Sequence, residues 1–230
     1  MIRTISLVVL ICCSAAATAK DAEIVSTALF AGQSPWPVSG ANPRSWASNL
    51  SFGQWHTSTA VQGPTLGFGL KLLGISLQHS SQSYRLSLTD GKDWQHLECV
   101  SAALTAAKDG WTLDLNLGEK PVFACGIQGK VASTLELKAK WNNQLLGQSQ
   151  LSDRRVSIRS LHQLKGAAFD SVEPAGYLLS DDQGPVAQVE VINSGRVWLA
   201  PTLPESVQLE LAALMAALLL YVPETPEDDF

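Results

Sequence analysis

"ELAALMAALLLYV", residues 210–222, is the stretch on which the reading of the whole chain turns. A helix through it has no polar face. Leu211, Leu214, Met215, Leu218, Leu219 and Tyr221 take most of the circumference, and Ala212, Ala213, Ala216 and Ala217 fill the remainder. A helix apolar all round belongs inside something. At 1.5 Å per residue, its apolar part spans about 18 Å, against roughly 30 Å of bilayer hydrocarbon. Glu210 bounds it on one side and "PETPEDDF" on the other, with no Lys or Arg to hold a cytoplasmic end. A helix lying on a membrane surface needs a charged face, which this one lacks. The spacing predicts a core helix over residues 204–222, with Leu211, Leu214, Met215, Leu218 and Leu219 as its core positions. Thr202 and Glu205 form a capping box, Pro204 is tolerated in the first turn, and Pro223 supplies the stop.

What encloses the helix is written upstream in a period of two. "SYRLSLTDG" sets Tyr84, Leu86 and Leu88 against Arg85, Ser87 and Thr89, and ends in Asp90-Gly91. "WTLDLNLG" (residues 111–118) does the same after Asp109-Gly110. "TLELKAKWNN" continues with Leu135, Leu137, Ala139 and Trp141 inward and Asn142-Asn143 as the turn. Alternation of this kind buries one face of a strand and wets the other, and Asp-Gly supplies the positive φ of a tight hairpin. "RRVSIRSLHQL", "GYLLSDDQG", "PVAQVEVINSG" and "RVWLAP" follow, with reversals at Asp182-Gln183-Gly184 and Asn193-Ser194-Gly195. The fold class expected is mainly β: a single antiparallel barrel or curled sheet enclosing its own C-terminal helix.

The two ends bound the setting. A cationic start, the apolar "ISLVVLICC" and small residues in "AATA" read as a signal peptide over residues 1–19, cut between Ala19 and Lys20. The rival reading is a lipid anchor at Cys12 or Cys13. Processing leaves 211 residues, one domain's worth, with 15 basic and 21 acidic side chains and a net charge of −6. Such a balance, with no basic run, makes the chain a poor candidate for nucleic-acid binding and argues against docking on an anionic membrane by charge alone. No transmembrane segment is expected in the mature chain. Of four cysteines, Cys99 and Cys125 survive processing, and in a periplasmic or extracellular setting they are expected to pair. Residues 20–63 are rich in Pro, Gly and Trp, and are expected as irregular chain before a strand at about residues 51–60, with residues 64–230 as the barrel-like domain. Trp36, Trp46 and Trp55 are read there as core packing, with contacts to a ligand as the other reading.

The ending "GYLLSDDQGPVAQVEVINSGRVWLAPTLPESVQLELAALMAALLLYV", residues 176–222, resembles that of tubby-like C-terminal domains, the superfamily that includes phospholipid scramblases and LURP-one-related proteins. The resemblance covers about a fifth of the chain. It implies a hairpin (186–192), a further strand (196–199) and a helix threading a barrel. Tubby proteins bind phosphoinositides through basic surface residues, and scramblases carry cysteine-rich and calcium-binding segments. This chain has neither, and its one basic cluster, Arg154, Arg155 and Arg159, reads as a solvated strand face.

No sequence motif announces catalysis. There is no G-x-S-x-G, H-E-x-x-H, C-x-x-C or P-loop, and "GPTLGFG" (residues 63–69) has Leu72 where a dinucleotide loop needs its third glycine. His56, His79, His96 and His162 are too scattered to suggest a metal site, and Asp181-Asp182 reads as a polar turn. No catalytic, cofactor-binding or metal residue is assigned and no cofactor is expected. The function expected is an exported, non-catalytic binding or interaction protein with a protein or lipid partner. The alternatives are a carrier of lipid or another apolar molecule and, last, an unrecognised hydrolase.

Overall fold

The computed structural model describes residues 22–41, 49–62, 82–101, 121–140 and 143–223. Among these the chain forms twelve strands and one helix: β1 (Trp36–Pro37), β2 (Ser51–Phe52), β3 (Trp55–Gln62), β4 (Gln82–Thr89), β5 (Trp94–Ser101), β6 (Pro121–Gln128), β7 (Ser133–Ala139), β8 (Leu145–Gln150), β9 (Arg155–Leu161), β10 (Gly176–Asp181), β11 (Gly184–Glu190), β12 (Arg196–Leu199) and α1 (Glu205–Leu220). From β2 to β12 each strand pairs antiparallel with the next in the chain. β1 leaves that order and pairs with β12, Trp36 opposite Val197. Two residues further on, Ser39 bridges Ser51 of β2. The two serines exchange both backbone hydrogen bonds at 2.9 Å, and their hydroxyls lie 2.7 Å apart. The sheet is thereby nearly closed into a barrel, which covers edges that would otherwise template pairing with other chains. Trp36 packs edge-on against Trp55 at this seam, 5.3 Å between ring centroids. Gly53, at φ 57°, turns β2 into β3 where a Cβ would stand 3.1 Å from the Trp36 ring.

The alternation read from sequence is the alternation of the wall. Tyr84, Leu86 and Leu88 of β4 and Leu135, Leu137 and Ala139 of β7 are buried in the main core, while Arg85 is exposed. A wall of twelve strands leaves room for more than side chains, and α1 occupies it. Every residue from 209 to 221 is buried, Leu211, Leu214, Met215 and Leu218 fully so. The strand expected at residues 111–117 lies outside the described residues, as do Trp46, Trp141, His79, residues 63–69, Cys12, Cys13 and the Ala19/Lys20 cleavage point.

Two details of the helix differ from expectation. Pro204 is itself the N-cap, in extended geometry, so Thr202 stands too far upstream to cap and no side chain does. The box of Thr202 and Glu205 does not form; instead Gln208 Nε2 donates to Leu203 O at 2.7 Å. α1 ends at Leu220, because Tyr221 turns extended ahead of Val222 and Pro223. Glu210, which marked the end of the apolar run, is itself buried and accepts the Ser152 N–H at 2.9 Å.

The Cys99–Cys125 disulfide joins directly opposed positions of β5 and β6, Cα atoms 4.1 Å apart, inside the core. At the far end of α1 the three tyrosines of the chain gather. Tyr84 Oη–H donates to Ala217 O at 2.7 Å, Tyr221 stacks on Phe123, and Tyr177 lies buried beside them. Burial, and then the neighbouring phenols, hold Tyr84 and Tyr177 protonated well above the ordinary tyrosine range.

The stretch set apart as residues 20–63 supplies β1, β2 and β3 to the sheet. Ahead of them, residues 22–33 run as a strap over the outer face of β9 to β12. Ile24 bridges Leu164, and with Phe30 it covers Ala175, Leu178 and Trp198 in a second, smaller core. Polar bonds fasten the strap: Ile24 N–H to Glu190 Oε2 at 3.1 Å and Thr27 N–H to Gln188 Oε1 at 3.1 Å. Glu190, almost wholly buried, takes a bidentate grip from Arg196 at 2.8 and 2.7 Å, and Arg196 reaches Glu23 at 3.4 Å.

Candidate interaction surface

Antiparallel order puts the connections at two unlike ends. Where α1 enters, the turns are short and self-satisfied: Asp90 Oδ1 accepts the N–H groups of Lys92 and Asp93, and Asp181 Oδ1 accepts that of Gln183. Those backbone donors hold the Asp90 carboxyl below its usual range. Where α1 leaves, the connections are longer, and the β9–β10 loop, residues 162–175, is the longest that the structure describes.

This loop is anchored at its base and bare at its tip. Gly166, at φ 80°, sits third in a turn closed by Ala167 N–H to Leu164 O at 3.1 Å. That position demands a positive φ, which glycine adopts freely. His162 clamps the loop: its Nδ1–H donates to Ser171 O at 2.9 Å, leaving Nε2 to accept from Ser160 Oγ at 2.8 Å. Ser171 N–H returns a bond to His162 O, and Lys165 N–H bonds Glu23 O of the strap. On this frame Phe169 stands 87 % exposed and Val172 70 %, with Asp170 and Glu173 exposed beside them. Neither carboxylate has an ion-pair partner among the described residues. An anchored loop that holds a phenylalanine and a valine in water is a candidate contact point, since aromatic anchors dominate interface energetics.

A second exposed patch lies on the adjoining wall. Leu146, facing outward on β8, is directly opposite Lys138 of β7 on one side and Arg159 of β9 on the other. The three form a row across the sheet, an exposed apolar side chain between two cations, and neither cation has an ion-pair partner among the described residues.

The other candidates from sequence resolve as follows. The basic cluster is divided: Arg154 is held by Asp153 and Asp181 at 3.0 Å each, whereas Arg155 and Arg159 point outward from β9. Asp181 and Asp182 form the expected turn. His56, His96 and His162 lie on β3, on β5 and in the β9–β10 loop, and no three His, Cys, Asp or Glu side chains among the described residues are grouped to hold a metal. Two Ser–His contacts bear on a hydrolytic reading. Ser160 is sealed in the wall, its Oγ already accepting the Leu145 N–H at 2.9 Å, so no acyl group has room to approach it. Ser87 and His96, 2.6 Å apart, are open to solvent, and although Trp94 stacks beside the ring, no third group among the described residues hydrogen-bonds it. A working base is held in place by such a group.

The buried Glu190–Arg196 pair and the Phe169 loop escaped the sequence reading. The first had a signal in "EVINSGR", opposite charges at the base of a short hairpin. The second had only the oddity of Phe and Val within the turn-rich "KGAAFDSVEPAG". Compared with models of known families, with curated proteins and with solved structures, the chain matches none of them.

Proposed function

We propose that this chain is an exported, non-catalytic binding or interaction protein of tubby-like architecture. The observation that carries this reading is the filled barrel. The interior, where a protein of this shape would otherwise hold a ligand, is packed by α1 from residue 209 onward and by Tyr221 after it. What remains for a partner is the outer wall and the long-loop end, where the exposed apolar side chains described above stand. The Cys99–Cys125 bridge supports export, because such bonds persist in oxidising compartments. The helix sheathed in strands is the feature that supports the tubby-like comparison.

The carrier reading keeps one foothold: Tyr177 Oη is buried with no hydrogen-bond partner among the described residues. Native mass spectrometry of freshly purified protein separates the two. The binding reading expects the bare polypeptide mass, no change in melting after delipidation, and no turnover of ester, glycoside or phosphate panels. A stoichiometric apolar passenger would hand the function to the carrier, and genuine turnover would refute both.

A further inference from the structure

The loop and the wall patch are opposites in charge and alike in apolar content. Phe169 and Val172 sit beside the carboxylates of Asp170 and Glu173, while Leu146 sits between the cations of Lys138 and Arg159, and none of these four charges has an ion-pair partner among the described residues. They do not satisfy one another within one chain, since both remain exposed. They are neighbours all the same: Arg159 precedes the His162 clamp by three residues on the strand that feeds the loop.

We propose that the occupant of this surface is a second copy of the same chain, in a reciprocal dimer where each β9–β10 loop docks on the partner's β7–β9 face. This rests on the reading of the protein as an interaction module. A two-fold dimer requires one patch to carry both halves of the contact, so that residue i meets j while j meets i. Leu145 N–H bonds Ser160 Oγ, Ser160 bonds His162 and His162 bonds Ser171 O, so the base of the donor loop adjoins the start of the acceptor row at one rim of the barrel, as that requirement asks. A foreign protein would need to supply its own apolar side chain flanked by cations, which this chain already possesses in the Lys138–Leu146–Arg159 row. The alternating charges set the register, and Phe169 contributes the apolar anchor.

Analytical ultracentrifugation of the full chain over a concentration series tests the proposal. The wild type is expected to dimerise reversibly, more weakly at high salt because exposed charges are screened. Phe169→Ala should weaken association about tenfold or more, as expected when an interface anchor is truncated. The double variants Asp170→Lys/Glu173→Lys and Lys138→Glu/Arg159→Glu should each be monomeric with unchanged melting. Mixed one to one, they should recover a heterodimer, because both cross-contacts are again between opposite charges. A wild type that stays monomeric up to about millimolar concentration, or a dimer indifferent to both reversals, overturns the proposal. So does flotation of a monomer with phosphatidylcholine vesicles that is lost in Phe169→Ala, which would assign the loop to a bilayer. None of these results touches the native-mass and turnover tests of the binding reading, so the two can fail separately.

Discussion

Inside the barrel, α1 is buried against the apolar face of the wall, and its side-chain hydrogen bonds to that wall include Glu210 to a backbone N–H at one end and Tyr84 to a helix carbonyl near the other. Outside, the strap is held on β9 to β12 by a cluster of five buried apolar residues threaded with charge, from Lys165 and Glu23 through Arg196 to Glu190. The interior draws its stability from area removed from water, which salt and acid scarcely alter. The outer layer depends on geometry between charged groups, which both of them reach. One sheet thus separates a part that holds the fold from a part that positions the surface.

That contrast can be broken deliberately. The largest effect should follow Leu214→Asp, which places an unpaired charge where no water reaches; the chain is expected not to fold, and a soluble variant with native circular dichroism would remove the helix from the core. Leu214→Ala, a milder version, should cost about 2–5 kcal/mol in denaturant unfolding. Next comes the paired change Cys99→Ala/Cys125→Ala, expected to lower stability by roughly 3 kcal/mol while the sheet stays intact.

Alkali should find the interior too. Tyr84 and Tyr177 are held protonated when folded but ionise near 10 when unfolded. Stability is therefore intact below about pH 10 and falls as pH rises beyond it, by up to about 2.7 kcal/mol per pH unit for two groups. Urea midpoints taken together with tyrosinate absorbance would show it, and a flat profile would mean that the phenols are hydrated.

The outer layer should respond less. Glu190→Gln leaves Arg196 with a neutral partner and is expected to cost about 2 kcal/mol, below the usual figure for a broken buried pair because Arg196 keeps water and Glu23. Smallest of all is Glu23→Gln. The hydrogen bond and charge of Arg196, then Lys165, hold the Glu23 carboxyl below its ordinary value of 4.5. Its contribution is present above that value and lost as pH falls through the lower folded one. The variant should flatten the acid limb of the stability curve and leave neutral pH almost unchanged.

How far the molecule was legible depended on whether a residue's role was local. Leu135 and Leu137 declared their burial by alternation, and Leu211 to Leu219 by having no polar face; Cys99 and Cys125 were legible because they are the two cysteines that lie beyond the apolar first nineteen residues. Trp36 and Pro37 were not, since a two-residue strand has no period to read, and the proline-rich composition around them points away from a sheet. Phe169 was also misleading by silence, because an apolar residue in a loop is ordinarily covered, and only its neighbours in space could reveal that this one is not.

By itself the sequence determined the two materials of this protein: strands with one wet face, and a helix that no solvent would accept. Those follow from the period of side chains along a backbone, which is local chemistry. Tertiary structure alone decided that Ser39 meets Ser51 to draw the sheet round the helix, that Arg196 grips Glu190 beneath the strap, and that Lys138 and Arg159 flank Leu146. Such contacts depend on the exact register between paired strands, and register is settled by packing the whole wall around its core.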